Sequence, residues 1–198
     1  SYFKEIKQKE INNLIIDIRN NGGGTTQLVD YLYELITDKP YCTFAKVKKK
    51  LSTYALKQRT GRLSRVAVLK SKGDKIQVRE SKLTQPGENK YRFNGQVYVL
   101  IGPYTFSSAA DFAAMIKDYE TGTLVGQETG GLASCYGDQI SGQLPNSGLD
   151  FGVSYKKFIR PAGFSNGRGV IPDVKVEVDA DKEIKGKDQV LQKILELL

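Results

Sequence analysis

An α/β fold with a largely parallel core is what this sequence predicts. Short β-branched runs alternate with helically patterned segments, and two of the strand candidates run directly into glycine loops. The chain shows no internal repeat and no low-complexity tract. At 198 residues, 39% hydrophobic and 26% charged, it is long enough for one well-buried domain, spanning residues 1–198.

The elements read in order as follows. Tyr2 to Ile11 has the look of the interior of a fold. The only methionine is Met115, so the sequence is expected to be a portion of a longer chain whose upstream part is missing. Leu14-Ile15-Ile16-Asp17-Ile18 is a buried-strand candidate that runs into Asn20-Asn21-Gly22-Gly23-Gly24. Thr25 can cap a helix bearing Leu28, Leu32, Leu35 and Ile36, which ends before Pro40. Tyr31 and Leu32 read as ordinary core material. Tyr41 to Val47 is a further strand candidate.

A basic insertion, about residues 48–92, follows with weak periodicity and with Gly61, Gly73, Pro86 and Gly87 as breakers, which suggests hairpins or a lid. From Lys46 to Arg92 there are fifteen Lys/Arg against Asp74, Glu80 and Glu88, so this segment carries +12 and the remainder of the chain −4, against a total of +8. Clustered cations invite a nucleic-acid reading. No nucleic-acid-binding signature accompanies them, so an acidic or membrane surface is the expected partner of this segment.

Strand, helix and strand then follow at Gln96–Ile101, Ser107 to about Tyr119, and Thr123–Gly126, with Phe112, Met115, Ile116 and Tyr119 on one helix face. The loop Glu128-Thr129-Gly130-Gly131 comes next. Phe151, Val153 and Tyr155 alternate as a half-buried strand, residues 167–173 form a turn, and Val190 to Leu198 closes the chain as a helix.

The chemistry concentrates in Gly102-Pro103-Tyr104-Thr105-Phe106-Ser107-Ser108. A serine pair stands where a strand becomes a helix, so the free N–H groups of the first helical turn and the dipole's positive end face it. A nucleophile and its oxyanion donors can share such a place. The competing reading is plain helix capping, in which a serine oxygen closes on a first-turn amide. The triple glycine likewise reads either as a strand-to-helix turn or as exposed amides; it fits neither a Walker loop nor a full dinucleotide-binding pattern. The chain has no histidine, the usual base for a serine nucleophile. Cys42 and Cys135 without histidine make no ordinary zinc site, and a disulfide or two free thiols both stay open.

Four blocks taken together resemble the C-terminal processing, or tail-specific, serine proteases, in particular the branch of the tricorn core and the interphotoreceptor retinoid-binding repeats. Asn13 to Gly24 is similar to the strand-plus-glycine block, and Thr105 to Ala113 resembles the nucleophile helix. Val125 to Gly131 and Gly169-Val170-Ile171-Pro172-Asp173 resemble two downstream blocks. The resemblance implies a crotonase/ClpP-like spiral core, a polypeptide substrate, no cofactor or metal, and an extracytoplasmic location. It places the nucleophile on Ser107 and oxyanion donors on Ser108 and on Gly23 or Gly24, with Asp118 as a supporting acid behind the site. Two departures stand out. Leu132 occupies the lysine position of one branch, and Ser165 or Asn166 the glutamate position of the other. The resemblance therefore implies either a peptidase whose base comes from the missing upstream part, or an inactive relative that binds a peptide or a lipid.

Overall fold

The computed structural model describes residues 2–52 and 75–198, so most of the basic segment's centre lies outside the described residues. Helix α1 (Tyr2–Gln8) precedes strand β1 (Asn13–Asp17) and helix α2 (Thr26–Glu34). Strands β2 (Lys46–Leu51), β3 (Lys75–Glu80) and β4 (Gln96–Ile101) follow, then helix α3 (Ser108–Asp118) and strand β5 (Thr123–Gly126). Strands β6 (Cys135–Gln143), β7 (Asp150–Ile159) and β8 (Val174–Lys175), then helices α4 (Ala180–Ile184) and α5 (Gln189–Leu195), complete the order.

Two four-stranded sheets result. One is parallel, in the order β1-β4-β5-β8; the other is antiparallel, in the order β3-β2-β7-β6. The parallel sheet is buried on both faces, which is why β4 reads as an unbroken apolar run. Val97, Val99 and Ile101 pack with α2 and α3 in the main core, beside Tyr33, Phe112, Met115 and Ile116. The alternate residue Leu100 faces the other way, onto Val125, Val190 and Ile194 of β5 and α5. Each such side chain, once fully buried, contributes about 1.5–3 kcal/mol through removal of its surface from water.

Several sequence expectations are corrected. The strand expected over Tyr41–Val47 begins at Lys46; before it, Tyr41 makes only an isolated bridge with Thr84. Tyr41 is instead a buried ring packed edge-on against Tyr33, with centroids 4.9 Å apart. Tyr31 is exposed, not core, while Leu32 packs partly against the core. Strand β6 was not foreseen. Its residues Gly137, Asp138, Ser141 and Gly142 hide its period, and Asp138 carries a positive φ of 50°. Cys42 and Cys135 are both free thiols. The Cys42 Sγ lies 3.4 Å from the Tyr119 hydroxyl, whereas burial and the neighbouring Asp111 carboxyl push the Cys135 thiol up to about 11.

Candidate active site

In a parallel sheet the loops after successive strands gather at one edge. Here those are the Asn20–Gly24 loop after β1, the Gly102–Ser107 turn after β4, and the Gln127–Gly131 loop after β5. Thr105, fully buried, ties the first two together: its Oγ1 donates to Ile18 O at 2.8 Å and accepts the Gly102 N–H at 3.1 Å. The Phe106 N–H donates to Asn21 O at 3.0 Å, and the Gly131 N–H to Thr105 O at 2.9 Å. All three loops are thereby fixed around the start of α3.

Ser107 stands at the crossing. It is exposed, and its backbone adopts φ 51° and ψ −131°, a region that non-glycine residues rarely enter. Strain of this kind costs on the order of 1–3 kcal/mol and persists only where surrounding contacts impose it. Its side chain makes no capping hydrogen bond, so the bland capping expectation does not hold for this serine. Among the described residues nothing engages the hydroxyl, which stands at the positive end of an 11-residue helix.

The glycine loop closes against it. A Cβ on Gly23, whose φ is +104°, would stand 2.5 Å from Ser107 Cβ and 3.1 Å from Ser107 Oγ. A Cβ on Gly131 would meet Phe106 Cα at 2.9 Å and the Ser107 nitrogen at 3.1 Å. The Gly23 N–H itself donates to Asn21 Oδ1 at 2.9 Å, so Asn21 holds the loop's turn. Among the described residues the Gly24 and Ser108 N–H groups have no acceptor. Ser108 is buried, and the nearest atom to a Cβ on Gly24 would be Ser108 Oγ at 4.0 Å.

The other two blocks brace the far side. Thr129 Oγ1 donates to Gly131 O at 2.7 Å and accepts the Val170 N–H at 2.8 Å. The Glu128 carboxylate accepts the Gly169 N–H at 3.0 Å and pairs with Arg168, which holds its carboxyl below the usual range. Leu132 bridges Gly169 and is partly exposed. Ser165 and Asn166 accept the N–H groups of Gly167 and Arg168 in a surface turn. Among the described residues no side chain hydrogen-bonds to Ser107 Oγ.

Asp118 lies at the opposite end of α3, about 16 Å away at 1.5 Å per residue. It pairs with Arg160 and accepts the Ala162 N–H at 2.8 Å. Its place is therefore in the join between α3 and β7, away from the serine. Sequence reading passed over Asn21, Thr105 and Asp111. An Asn preceding a glycine run is itself a turn signal, but Thr105 is betrayed by nothing local.

Asp111 is buried, and desolvation raises its carboxyl to about 7. For a carboxyl raised in the folded state, stability is full below the unfolded value of 3.8 and has been lost once pH passes the folded value of about 7. Asp111→Asn should therefore gain on wild type across that window, reaching on the order of 2 kcal/mol at pH 8, since part of the roughly 1.36 kcal/mol per pH unit is offset by burying the amide. Urea midpoints at pH 4, 6 and 8 measure it. Parallel pH profiles for the two proteins would contradict the assignment.

The tail-specific protease of Haemophilus influenzae is 24% identical over 193 residues, which is 93% of this chain and 23% of that protein. A solved Parabacteroides merdae protein superposes with a TM-score of 0.68 at 22% identity, over 96% of this chain and 52% of its own. Mature CPAF in complex with lactacystin gives 0.67 at 20% identity, over 99% of this chain and 46% of that one. The photosystem II D1 C-terminal processing protease gives 0.54 at 21%, over 95% and 42%. These likenesses establish a shared fold, and the chain spans roughly half or less of each relative. The family match, to peptidase family S41, runs over residues 1–176, and the chain belongs to that family.

Proposed function

We propose that this chain is the core of a serine-type peptidase that cleaves polypeptides near their C-terminus, with Ser107 as nucleophile. One observation supports this above the others: an exposed serine held at positive φ, with a glycine backbone so close that a Cβ on Gly23 would touch its hydroxyl. Ser107 Oγ attacks the scissile carbonyl carbon as its proton passes to a base, and the carbonyl oxygen becomes an oxyanion. The Ser108 and Gly24 N–H groups donate to that oxygen; one such donor is typically worth about 3 kcal/mol. Gly23 contributes closeness rather than a donor, because Asn21 Oδ1 occupies its N–H. Collapse of the intermediate expels the amine, which takes the proton back, and water then releases the acyl group from Ser107.

The base is supplied from outside these 198 residues. The chain has no histidine, and Leu132, Ser165 and Asn166 stand where the family's resident bases or their acidic partner would. These same residues favour the second reading, an inactive module of the same fold that binds a peptide or lipid. The crotonase-like spiral and an extracytoplasmic location belong to this proposal on the strength of the resemblance. So does contact between Lys46–Arg92 and an acidic surface. Lys48 stands directly opposite Lys157 in the register, an arrangement that like charges disfavour without a counter-charge.

A serine-reactive fluorophosphonate tests the reading on this chain and on the longer protein that contains it. The longer protein should label, Ser107→Ala should not, and this chain alone should label at least 100-fold more slowly, because without a base only the oxyanion and binding effects remain. Absence of labelling in the longer protein establishes the inactive module instead.

A further inference from the structure

The antiparallel sheet lies outside both hydrophobic clusters, since no residue of β2, β3, β6 or β7 belongs to either. Its two faces differ. Strand alternation puts Val47 and Phe158 on one, where Phe158 packs on Phe44 with ring centroids 4.7 Å apart. The other face presents Lys46, Lys48 and Lys50 of β2, all exposed, with Lys157 of β7 directly opposite Lys48. Its flanks are apolar. Ile76 and Val78 of β3 stand opposite Lys50 and Lys48, and Tyr136 of β6 stands opposite Lys157. Val153 lies further along β7 on the same side, and there Leu144 and Leu149, joined by a 2.9 Å backbone hydrogen bond, close the β6–β7 hairpin. All six of these apolar side chains are exposed, Ile76 at 71% and Leu149 at 65%. The Lys157 ammonium stands 5.2 Å from the centre of the Tyr136 ring. Of the neighbouring acids, Glu80 is held by Lys46 and Asp138 by Lys156. Among the described residues Lys48 has no acidic partner.

We propose that this face docks on an anionic lipid bilayer, its lysines reaching the lipid phosphates while Val78, Val153 and Leu149 enter the boundary between headgroups and acyl chains. The proposal rests on the reading that Lys46–Arg92 meets an acidic surface, and it names that surface. An antiparallel sheet with one face in water ordinarily turns polar residues outward. This one turns out large aliphatic groups between cations, so its complement is negatively charged and apolar at once. An acidic protein fits poorly, because protein interfaces are depleted of lysine and enriched in arginine, and all four cations here are lysines. A nucleic acid would take up the charge but leave Ile76, Val78 and Leu149 uncovered, since bases stack on rings and guanidinium planes. A bilayer answers both needs, burying apolar area while its anionic headgroups attract the cations. Each lysine stem lies along apolar surface with its ammonium among the phosphates, and the Tyr136 ring suits the same depth. A phosphate between Lys48 and Lys157 also relieves the repulsion of two like charges placed directly opposite.

Co-sedimentation with vesicles tests it on this chain and on the longer protein that contains it, at about 0.15 M salt, where only nearby charges attract. Vesicles of about one-third phosphatidylglycerol should bind both proteins at least roughly tenfold more tightly than pure phosphatidylcholine. Lys48→Gln should lower that affinity about fivefold, and Lys48→Gln with Lys157→Gln about 25-fold, the size of one headgroup attraction per lysine. Leu149→Ser should lower it about tenfold, for one aliphatic side chain withdrawn from lipid, while binding to polyglutamate stays unchanged. Lys193→Gln, on α5, should behave as wild type, and urea midpoints identify the folded variants. Binding to polyglutamate or an oligonucleotide but not to vesicles keeps the acidic-surface reading and ends the bilayer proposal. Binding to none of them ends both. Vesicle binding that the Lys48, Lys157 and Leu149 substitutions leave intact puts the contact elsewhere on the molecule. Vesicle binding by this chain but not by the longer protein means that another segment covers the face. Either of these results overturns the proposal.

Discussion

Gly23→Ala should reduce phosphonate labelling of Ser107 in the longer protein by about 100-fold or more, a loss of the size seen when one oxyanion donor is removed. The added methyl would stand 2.5 Å from Ser107 Cβ and 2.9 Å from Phe106 O, at a φ of +104° that alanine resists. Neither obstacle can be relieved by a side-chain rotation, because the atoms met are backbone or the first carbon of a strained residue. The loop must therefore retreat, carrying the Gly24 amide away from the hydroxyl. The stability cost should be far smaller, about 1–2 kcal/mol, since the loop is exposed and can shift without opening the core. Gly22→Ala is the control: nothing lies within 4 Å of its Cβ, and both labelling and stability should stay at wild-type values. Equal effects of the two substitutions, or full labelling in Gly23→Ala, would show that the glycine loop does not press on the serine.

The parallel half of this molecule was legible because its signals are local. Runs such as Val97–Ile101 are apolar on both faces, and a sheet covered on both sides demands that. Thr25 behaves as the expected cap, accepting the Gln27 N–H at 3.2 Å. The antiparallel half was only partly legible: Phe151, Val153 and Tyr155 marked β7, although Val153 is 57% exposed, while its neighbouring strand sends the opposite signal. Strand β2 is Lys46-Val47-Lys48-Lys49-Lys50-Leu51, whose lysines suggest a solvated segment until Phe158 and Lys157 of β7 are seen opposite Val47 and Lys48. At the site, the serine pair and the glycines were readable as residue types at strand ends. Which amides remain free was not. That depends on Asn21 turning its side chain onto the Gly23 N–H rather than away, a choice among rotamers that no spacing encodes. Leu28 was obscure as well: it shares the helical spacing of Leu32, which packs against the core, yet Leu28 is 66% exposed.

Asp118 offers the same lesson with a larger energy attached. A carboxylate at a helix C-terminus opposes the dipole, so its presence there already calls for a cation. Arg160, 42 residues downstream at the end of β7, supplies it, and the pair is nearly enclosed, with side-chain exposures of 15% for Arg160 and 6% for Asp118. Arg160 also donates its backbone N–H to Ser134 Oγ at 3.1 Å, so the pair fastens α3 to both the end of β7 and the approach to β6. Removing one partner leaves a buried charge unmatched, and Asp118→Ala should cost about 3–5 kcal/mol, a large share of the 5–15 kcal/mol typical of a domain. Replacing both, as in Asp118→Leu with Arg160→Met, should recover more than half of that loss, because apolar groups of similar volume escape the desolvation cost that the lone ion suffers. Chemical denaturation of the single and double variants measures both quantities. Labelling of Ser107 in the folded fraction should be unchanged in each, since the pair lies at the far end of α3. A double variant no more stable than the single would mean that the Ala162 N–H, left without its acceptor, carries the energy instead of the ion pair.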